Sequence, residues 1–324
     1  MVKVREDYGV TGDGQVDIGR WVHRIAEQTH LENPDQLRLA CEKADRIALE
    51  AFREDRLWAP GANSFHTGLE MAQVLAELHL DQASLVAAVL YRAVREERVE
   101  LEEIRKEFGD EVAGLINGVQ QMAAISSIHH PLKGNVLGQS EGQLDNVRKM
   151  LVTMIDDVRV ALIKLAERTC AIRAIKDTTP EKRMKVAREV FDIYAPLAHR
   201  LGIGHIKWEL EDLSFRYLHA TAYKKIARLL DEKRLDRESY IRRVLETLQR
   251  ELKASGIEAE LSGRAKHIYS IWRKMRRKGI DFSQVYDVRA VRILVPEVRD
   301  CYAVLGIVHS LWRHIPNEFD DYIA

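Results

Sequence analysis

Apolar residues recur at helical spacing through most of the chain before Gly256. Between residues 37 and 108 they fall three or four positions apart, and a representative set is Val74, Leu75, Leu78, Leu80, Leu85, Val86, Val89 and Leu90. A repeat of about 3.6 residues predicts amphipathic helices that pack through one face. Thr179, Pro180 and Glu181 predict a further helix start, because they supply a cap, a proline suited to the first turn and a carboxylate favoured by the helix dipole.

A polar segment interrupts this pattern near the middle of the helical part. Residues 126–142 are rich in glycine, serine and other turn formers, and they predict a loop. The loop contains His129 and His130, which we interpret as solvated side chains rather than as a metal site. The helical pattern resumes after the loop and predicts one long, largely buried helix over residues 143–175.

Strand-like segments appear only after Gly256. The predicted order is a strand over 257–261, a helix over 266–278, a strand over 288–295 and a helix over 300–312. We therefore assign the chain to the α+β class with predominantly α content. Residues 1–200 form the helical domain, and residues 201–324 form a helical connector and the start of a second domain. We expect this second domain to be incomplete, because two strands make at best a marginal sheet.

Composition limits the classes of function that fit the chain. Lysine plus arginine and aspartate plus glutamate number 50 each, so a polyanion must meet a local basic patch, such as residues 264–278, rather than a globally basic protein. Cys41, Cys170 and Cys301 are far apart in sequence, which argues against a zinc site and a disulfide framework. No apolar run reaches the ~20 residues of a membrane span. We expect a soluble cytoplasmic protein that does not bind membranes.

The basic segment and the strand after it suggest nucleotide chemistry. A glycine at a strand end, a basic amphipathic helix and a carboxylate at the next strand, Asp287, are the parts needed to hold a polyphosphate with its magnesium. On a helix over 266–278, Lys266, Ser270 and Lys274 lie along one stripe, which can follow a triphosphate. The alternatives are a solvated basic helix and an aspartate that only caps a turn.

The same residues resemble a known family. Residues 262–275 and Asp287 are similar to the start of the synthetase domain of the long RelA/SpoT enzymes, and the similarity continues through residues 194–211 into the helical half. These enzymes make (p)ppGpp by moving the pyrophosphate of ATP onto the ribose 3′-hydroxyl of GTP or GDP. The resemblance implies an HD-type helical domain followed by an incomplete nucleotidyltransferase-like mixed-sheet domain.

The resemblance also implies roles for individual residues of the second domain. The residues it assigns to ATP are Arg264, Lys266, His267, Ser270 and Lys274. It makes Asp287 the catalytic magnesium ligand, whereas the partner glutamate and the guanine-stacking segment of the family lie beyond Ala324. We therefore expect the 324-residue chain itself to be inactive as a synthetase.

The positions that carry the manganese hydrolase site in bifunctional relatives are degenerate in this chain. They correspond to Thr67, Tyr91, Arg92, Arg95, Glu96, Glu167 and Ala171. Arginine has no lone pair to donate and repels a cation. His66 stands one residue from the ligand position of Thr67, which is a rotation of about 100° on a helix. We expect no Mn²⁺ in this domain and no hydrolase activity.

An acidic motif near the end of the chain separates the branches of the family. Bifunctional members carry Arg-x-Lys-Asp at this place and synthetase-only members carry Glu-x-Asp-Asp, and this chain has Glu318, Asp320 and Asp321. Two cations replaced by two anions are expected to change the demand for Mg²⁺. Together with the degenerate hydrolase positions, the motif indicates the RelA branch.

The resemblance thus implies a GTP diphosphokinase of RelA type that acts in the stringent response. Its partners are ATP and GTP or GDP, its cofactor is Mg²⁺, and the family binds the ribosome only through C-terminal domains that this chain does not contain. Two other interpretations stay open. One is a non-catalytic regulatory fragment that binds a nucleotide or a partner domain, and the other is a Mn²⁺-dependent (p)ppGpp hydrolase.

Overall fold

The computed structural model describes residues 16–31, 33–54, 63–128, 157–232, 234–285, 289–314 and 319–323. The chain divides after Leu218 into two compact units. The functional division predicted at residue 200 remains a prediction, but the helix over residues 204–218 packs into the first unit rather than the second. The predicted α+β class with predominantly helical content is confirmed.

The first unit is built from helices. They are α1 (Ile18–Thr29), α2 (Pro34–Arg53), α3 (Ser64–Glu77), α4 (Gln82–Arg95), α5 (Leu101–Phe108), α6 (Asp110–Ile128), α7 (Val158–Ala174), α8 (Pro180–Glu189), α9 (Ala195–Arg200) and α10 (Gly204–Leu218). A 3₁₀ turn, Ile175–Asp177, follows α7, and a π-helical turn, Val190–Tyr194, joins α8 to α9.

A single hydrophobic core runs through this unit. The apolar positions that predicted packed helices are buried, including Leu75 on α3 and Val86, Val89 and Leu90 on α4. Helices α3 and α4 approach closely at Gly68, where a Cβ atom would lie 2.6 Å from the carbonyl oxygen of Val89. This contact brings α3 against α4, which carries Tyr91, Arg92 and Arg95 and is followed directly by Glu96.

Local capping explains several helix starts in this unit. Thr179 caps α8 and accepts a hydrogen bond from the amide of Lys182, with Pro180 in the first turn, so the predicted helix start is confirmed. Asp157 caps α7 by accepting from the amide of Arg159. The Arg159 guanidinium also donates to Glu111 of α6 at 2.7 Å, which ties α6 to the start of α7.

Two predicted boundaries in the middle of the chain are wrong. The loop predicted over 126–142 starts too early, because α6 continues to Ile128. The single helix predicted over 143–175 is not continuous, because Asp157 has an extended conformation and α7 begins only at Val158, whose side chain is 54% exposed. His129 and His130 lie outside the described residues.

The second unit combines helices with a two-stranded sheet in the described residues. Its elements are α11 (Ala220–Glu232), α12 (Arg234–Ala254), β1 (Glu260–Ala265), α13 (Ile268–Lys278), a 3₁₀ turn (Phe282–Gln284), β2 (Arg289–Leu294) and α14 (Val298–Leu311). The strands pair antiparallel, with Leu261 opposite Ile293 and Ala265 opposite Arg289.

Two small cores hold this unit together. Ile271 and Met275 of α13 pack with Ile226 of α11 and with Phe282 and Val285 after α13. The second core forms between helices α12 and α14 and one face of the sheet, and its members include Leu248, Leu252, Leu261, Ile293 and Val304. Helix α13 therefore packs into a different core from the sheet.

The order of elements predicted after Gly256 is confirmed, but their bounds differ. The strand predicted over 257–261 lies three residues later, so Gly263 stands within β1 rather than at its end. The helix predicted over 266–278 begins at Ile268. The strand predicted over 288–295 is shorter, and the last helix starts two residues earlier than predicted.

Candidate functional sites

The first unit brings several degenerate hydrolase positions together. Tyr91 and Arg95 lie one turn apart on α4, and the Tyr91 hydroxyl is 2.9 Å from Nη1 of Arg95. The same Nη1 atom lies 3.5 Å from Oε1 of Glu167 on α7. Positions predicted from separate segments of the sequence thus meet at one place, between α4 and α7.

Glu167 lies at the centre of a buried basic cluster. Its carboxylate accepts a hydrogen bond from Nζ of Lys164 at 2.9 Å and from Nε of Arg168 at 2.6 Å. The side chains of Glu167 and Lys164 are only 3% and 1% exposed. We call Glu167, Lys164, Arg168 and Arg95 the Glu167 cluster. Sequence reasoning identified Glu167 and Arg95 but assigned no role to the two cations on α7.

Burial and neighbouring charges shift the pKa values of the cluster in opposite directions. Burial alone would raise the pKa of Glu167, but the charges of Arg168 and Lys164 hold it well below its usual range. Burial lowers the pKa of Lys164 to about 8, although Glu167 opposes this shift. Burial and the Glu167 charge raise the pKa of Tyr91, so this group stays a neutral hydroxyl at neutral pH. Glu167 is therefore an ionised carboxylate already neutralised by protein cations.

The other positions on α3 and α4 form a separate set of contacts. Nη2 of Arg92 lies 2.8 Å from Oε1 of Glu96, and both oxygens of Glu96 accept from the Ser64 hydroxyl. The Thr67 hydroxyl donates to the backbone carbonyl of Asn63. Arg92 and Glu96 thus neutralise each other at the end of α4.

Two further positions differ in exposure and contacts. His66 is exposed whereas Thr67 is half-buried, consistent with their different positions around α3. Ala171 is half-buried on α7 and carries no polar side-chain atom. Within the described ranges, no group of three or more histidine, cysteine, aspartate or glutamate residues could hold a metal ion.

In the second unit, the predicted ATP residues fall on β1, on helix α13 and in the connection between them. Lys266 and His267 lie in the connection between β1 and α13, whereas Ser270 and Lys274 lie one turn apart on α13. The predicted stripe of three side chains on one helix is therefore wrong for Lys266. Arg264 stands on β1, opposite Ala290 of β2.

The start of α13 has the character of an anion-binding terminus. His267 has an extended conformation at the cap position, and its side chain makes no capping hydrogen bond. The first amides of a helix lack partners within the helix and point outward. Because α13 begins at Ile268, Lys266 lies just before these amides, and its charge is beside the helix terminus.

Helix α13 also takes part in an aromatic contact that sequence reasoning missed. The Trp272 ring stacks on the His219 ring, with centroids 5.4 Å apart and planes inclined by 26°. The Arg276 guanidinium lies 5.7 Å from the centroid of the Trp272 ring. Single aromatic residues 53 positions apart give no local signal of contact, and only the packing of α11 on α13 joins them.

The acidic motif is described in part. Asp320 and Asp321 are exposed, and Glu318 lies outside the described residues, as does Asp287. Oδ2 of Asp321 accepts a hydrogen bond from the Tyr302 hydroxyl of α14 at 3.2 Å. Sequence reasoning gave no role to Tyr302. Within the described residues, no helix has the length and apolar character that a membrane crossing requires.

Both units of the chain are similar to known protein families. Residues 44–204 match the family model for the HD domain, and residues 263–324 match the model for a region found in RelA/SpoT proteins. The chain is 51% identical over 257 residues to a GTP pyrophosphokinase of Escherichia coli strain K12, an alignment that covers 79% of this chain and 34% of that protein.

Similar relatives occur in other bacteria. A GTP pyrophosphokinase of Haemophilus influenzae is 46% identical over 80% of this chain and 34% of its own length. One of Streptomyces coelicolor is 43% identical over 79% of this chain and 29% of its own length. The chain thus spans about a third of the length of the curated relatives that it matches.

Proposed function

Because this chain belongs to the RelA/SpoT family, we propose that it forms the N-terminal region of a GTP pyrophosphokinase of the synthetase-only, RelA type. The whole protein would transfer pyrophosphate from ATP to the ribose 3′-hydroxyl of GTP or GDP in the cytoplasm, as part of the stringent response. The observation that carries this proposal is the match of residues 263–324, which falls on the elements from β1 to α14.

We assign the ATP phosphates to the start of α13. Lys266 before the helix and Lys274 on it supply positive charge, and the Ser270 hydroxyl can donate a hydrogen bond. The outward amides of the helix terminus add further donors for an anion. In this proposal Arg264 on β1 and His267 at the cap complete the contacts to ATP.

The chain also offers carboxylates suited to magnesium. Mg²⁺ is held by one or two carboxylates together with substrate phosphates. We assign Asp287 as one of these ligands and the partner glutamate of the family as the other. The exposed Asp320 belongs to the acidic motif that we expect to change the demand for Mg²⁺. When bound, the metal would neutralise charge that develops on the phosphate oxygens.

The transfer itself is a displacement at phosphorus. The guanosine 3′-oxygen forms a bond to the β-phosphorus of ATP, and the bond from that phosphorus to the oxygen shared with the α-phosphate breaks, so AMP leaves. Lys266 and Lys274 would orient the polyphosphate and stabilise the added charge during the displacement. Asp287 would hold the metal together with the partner glutamate of the family.

We also propose that the first unit does not hydrolyse (p)ppGpp. The support is the Glu167 cluster, in which three basic side chains surround the carboxylate that would otherwise be offered to a metal ion. A divalent cation would meet these charges at close range. Tyr91 and Arg92 supply no imidazole and no carboxylate at the adjacent positions.

We further propose that residues 1–324 alone do not carry out synthesis. The described part of the second unit has a two-stranded sheet, which is at best a marginal scaffold for a catalytic site. The alternative is a regulatory fragment that only binds a nucleotide. Both residues 1–324 and the full-length protein would then bind ATP without transferring pyrophosphate.

The test is a synthesis assay on the full-length protein with ATP, GDP or GTP, and Mg²⁺. We expect equal amounts of AMP and the 3′-pyrophosphorylated guanosine nucleotide. Lys274→Ala should lower kcat/KM by about 10- to 100-fold, because a charge-assisted phosphate contact is lost. Lys253→Ala, an exposed lysine of α12, is the matched control. Binding of ATP without AMP formation would refute the synthetase and support the regulatory alternative.

A further inference from the structure

Helix α13 is held against α11 by two kinds of contact within the second unit. Its fully buried residue, Ile271, packs with Ile226 of α11 in a small apolar core. The second contact is the stack of the Trp272 ring on the His219 ring, with centroids 5.4 Å apart. His219 and Ile226 are seven residues apart, so they lie two turns apart on one side of α11. The core and the stack therefore join the same two helices at separate points.

The aromatic contact has a fixed base on α11 and further neighbours on α13. His219 directly precedes α11, and its backbone carbonyl accepts from the amide of Tyr223 at 2.9 Å, which is the bond of a first helical turn. On α13, the Tyr269 ring lies 5.9 Å from the Trp272 ring, and the Arg276 guanidinium lies 5.7 Å from the centroid of Trp272. Trp272 is thus held both along its own helix and across to α11.

The stack lies on the flank of α13 opposite to the side chains assigned to ATP. Trp272 follows the buried Ile271 by one residue and Ser270 precedes it by one, so they lie about 100° to either side of it. Lys274 lies one turn after Ser270, on the same flank. A roll of α13 about its axis would therefore move Ser270 and Lys274 together with Trp272. Because the outer radius of a helix is about 5–6 Å, a roll of about 20° moves their ends by about 2 Å, more than a hydrogen bond tolerates.

We propose that Trp272 and His219 are positioning residues for ATP, because their stack fixes the rotation of α13 and with it the place of Ser270 and Lys274. This inference rests on the ATP contacts assigned in the proposed function. The apolar core around Ile271 holds the helices together, but apolar burial has no preferred direction. Stacked rings prefer a defined geometry, so the stack can select one rotation. Neither ring contacts the nucleotide in this inference.

The test removes the His219 ring and then restores a ring at the same place. In the full-length protein, His219→Ala should raise the KM for ATP by about three- to tenfold, because ATP must realign α13 without the stack. The KM for GDP and kcat should stay essentially unchanged, since saturating ATP restores the alignment. His219→Phe keeps a ring that can stack on Trp272 and should behave like the parent. Tyr240→Ala, which removes a 40% exposed ring from α12, is the control and should change neither KM.

A second measurement follows ATP binding without any assay of transfer. In titration calorimetry with ATP and Mg²⁺, and no guanosine nucleotide, His219→Ala should raise the dissociation constant by the same factor. Trp272→Leu keeps an apolar side chain next to the core and removes the same stack, so it should weaken ATP binding to a similar extent. Adding His219→Ala to Trp272→Leu should change little further, because the contact is already lost.

The outcomes separate this inference from the proposed function. Parent protein that binds ATP without synthesis would refute the proposed function, and weaker ATP binding by His219→Ala would still support the positioning role. Synthesis by the parent with unchanged ATP affinity in His219→Ala would refute the positioning role alone. Equal rises in the KM values for ATP and GDP, or a His219→Phe variant as impaired as His219→Ala, would also overturn it, since the loss would then not come from the stack on the ATP helix.

Discussion

The Glu167 cluster allows a prediction about stability that uses one isosteric substitution. Glu167→Gln keeps the size of the side chain but removes the only negative charge of the cluster. Lys164 and Arg168 then stay buried beside a neutral amide, with hydrogen-bond lengths in the parent of 2.9 Å and 2.6 Å. Loss of one partner from a buried ion pair costs about 3–5 kcal/mol.

The expected cost can be bounded from the same contacts. For a unit of about 200 residues, each kcal/mol lowers Tm by about 2–4 °C, so Glu167→Gln should lower Tm by about 6–20 °C. The lower end applies if Lys164 loses its proton in the variant, because its pKa is already lowered to about 8 in the presence of Glu167. Adding Lys164→Met to Glu167→Gln should recover part of the loss by removing one stranded cation.

The assay is differential scanning calorimetry at pH 7, with hydrogen exchange in α7 to locate the loss in the first unit. Glu102→Gln is the matched control, because Glu102 forms an Arg–Glu contact of 2.6 Å to Arg105 with both side chains about half exposed. Surface pairs of this kind contribute about 0–1 kcal/mol. If the two substitutions lowered Tm equally, Glu167 would not be an essential partner of buried cations.

Three other predictions concern the first unit. The pKa of Lys164 is lower in the fold than its usual 10.5, so the unfolded chain binds more protons between pH 8 and 10.5. Parent stability should therefore rise with pH there by up to about 3 kcal/mol relative to Lys164→Met in urea unfolding. Gly68→Ala should destabilise by about 1–3 kcal/mol through backbone overlap, whereas Gly114→Ala, with open space around its Cβ position, should stabilise by up to about 1 kcal/mol. Tyr91→His with Arg92→Asp should bind no Mn²⁺ in calorimetry and release no pyrophosphate from ppGpp, because the Glu167 cluster stays positive; a bound Mn²⁺ would contradict this.

In the first unit, the sequence allows inference where chemistry depends on residue type alone. Arg92 has no lone pair to give to a metal ion, and Tyr91 offers a hydroxyl in place of an imidazole. The same reasoning could not show that Arg95 reaches Glu167, because these residues are 72 positions apart and meet only through the packing of α4 and α7. The sequence shows that Lys164 and Arg168 are close to Glu167 on the same helix. It does not show that these charged side chains are buried together.

In the second unit, sequence reasoning found the elements and misplaced their ends. The predicted strand ends at Leu261 with Gly263 just after it, yet the strand continues to Ala265 because β1 pairs with β2 as far as Arg289. That partner lies 24 residues later in the chain, so the local pattern could not reveal it. The later helix start then moved Lys266 off α13. The roles predicted for Asp287 and Glu318 stay predictions, since both lie outside the described residues.

The two units use basic residues in opposite ways, and this contrast explains why we place the chemistry in the second. In the first unit, Lys164 and Arg168 are buried against Glu167, so their charges are closed to a ligand. In the second unit, Lys266 and Lys274 are only partly buried beside a helix terminus that favours anions. A polyphosphate could reach the second set without the desolvation cost that burial imposes on the first. Replacing the Glu167 cluster by apolar side chains of similar volume should therefore leave synthesis intact, whereas loss of Lys274 should not.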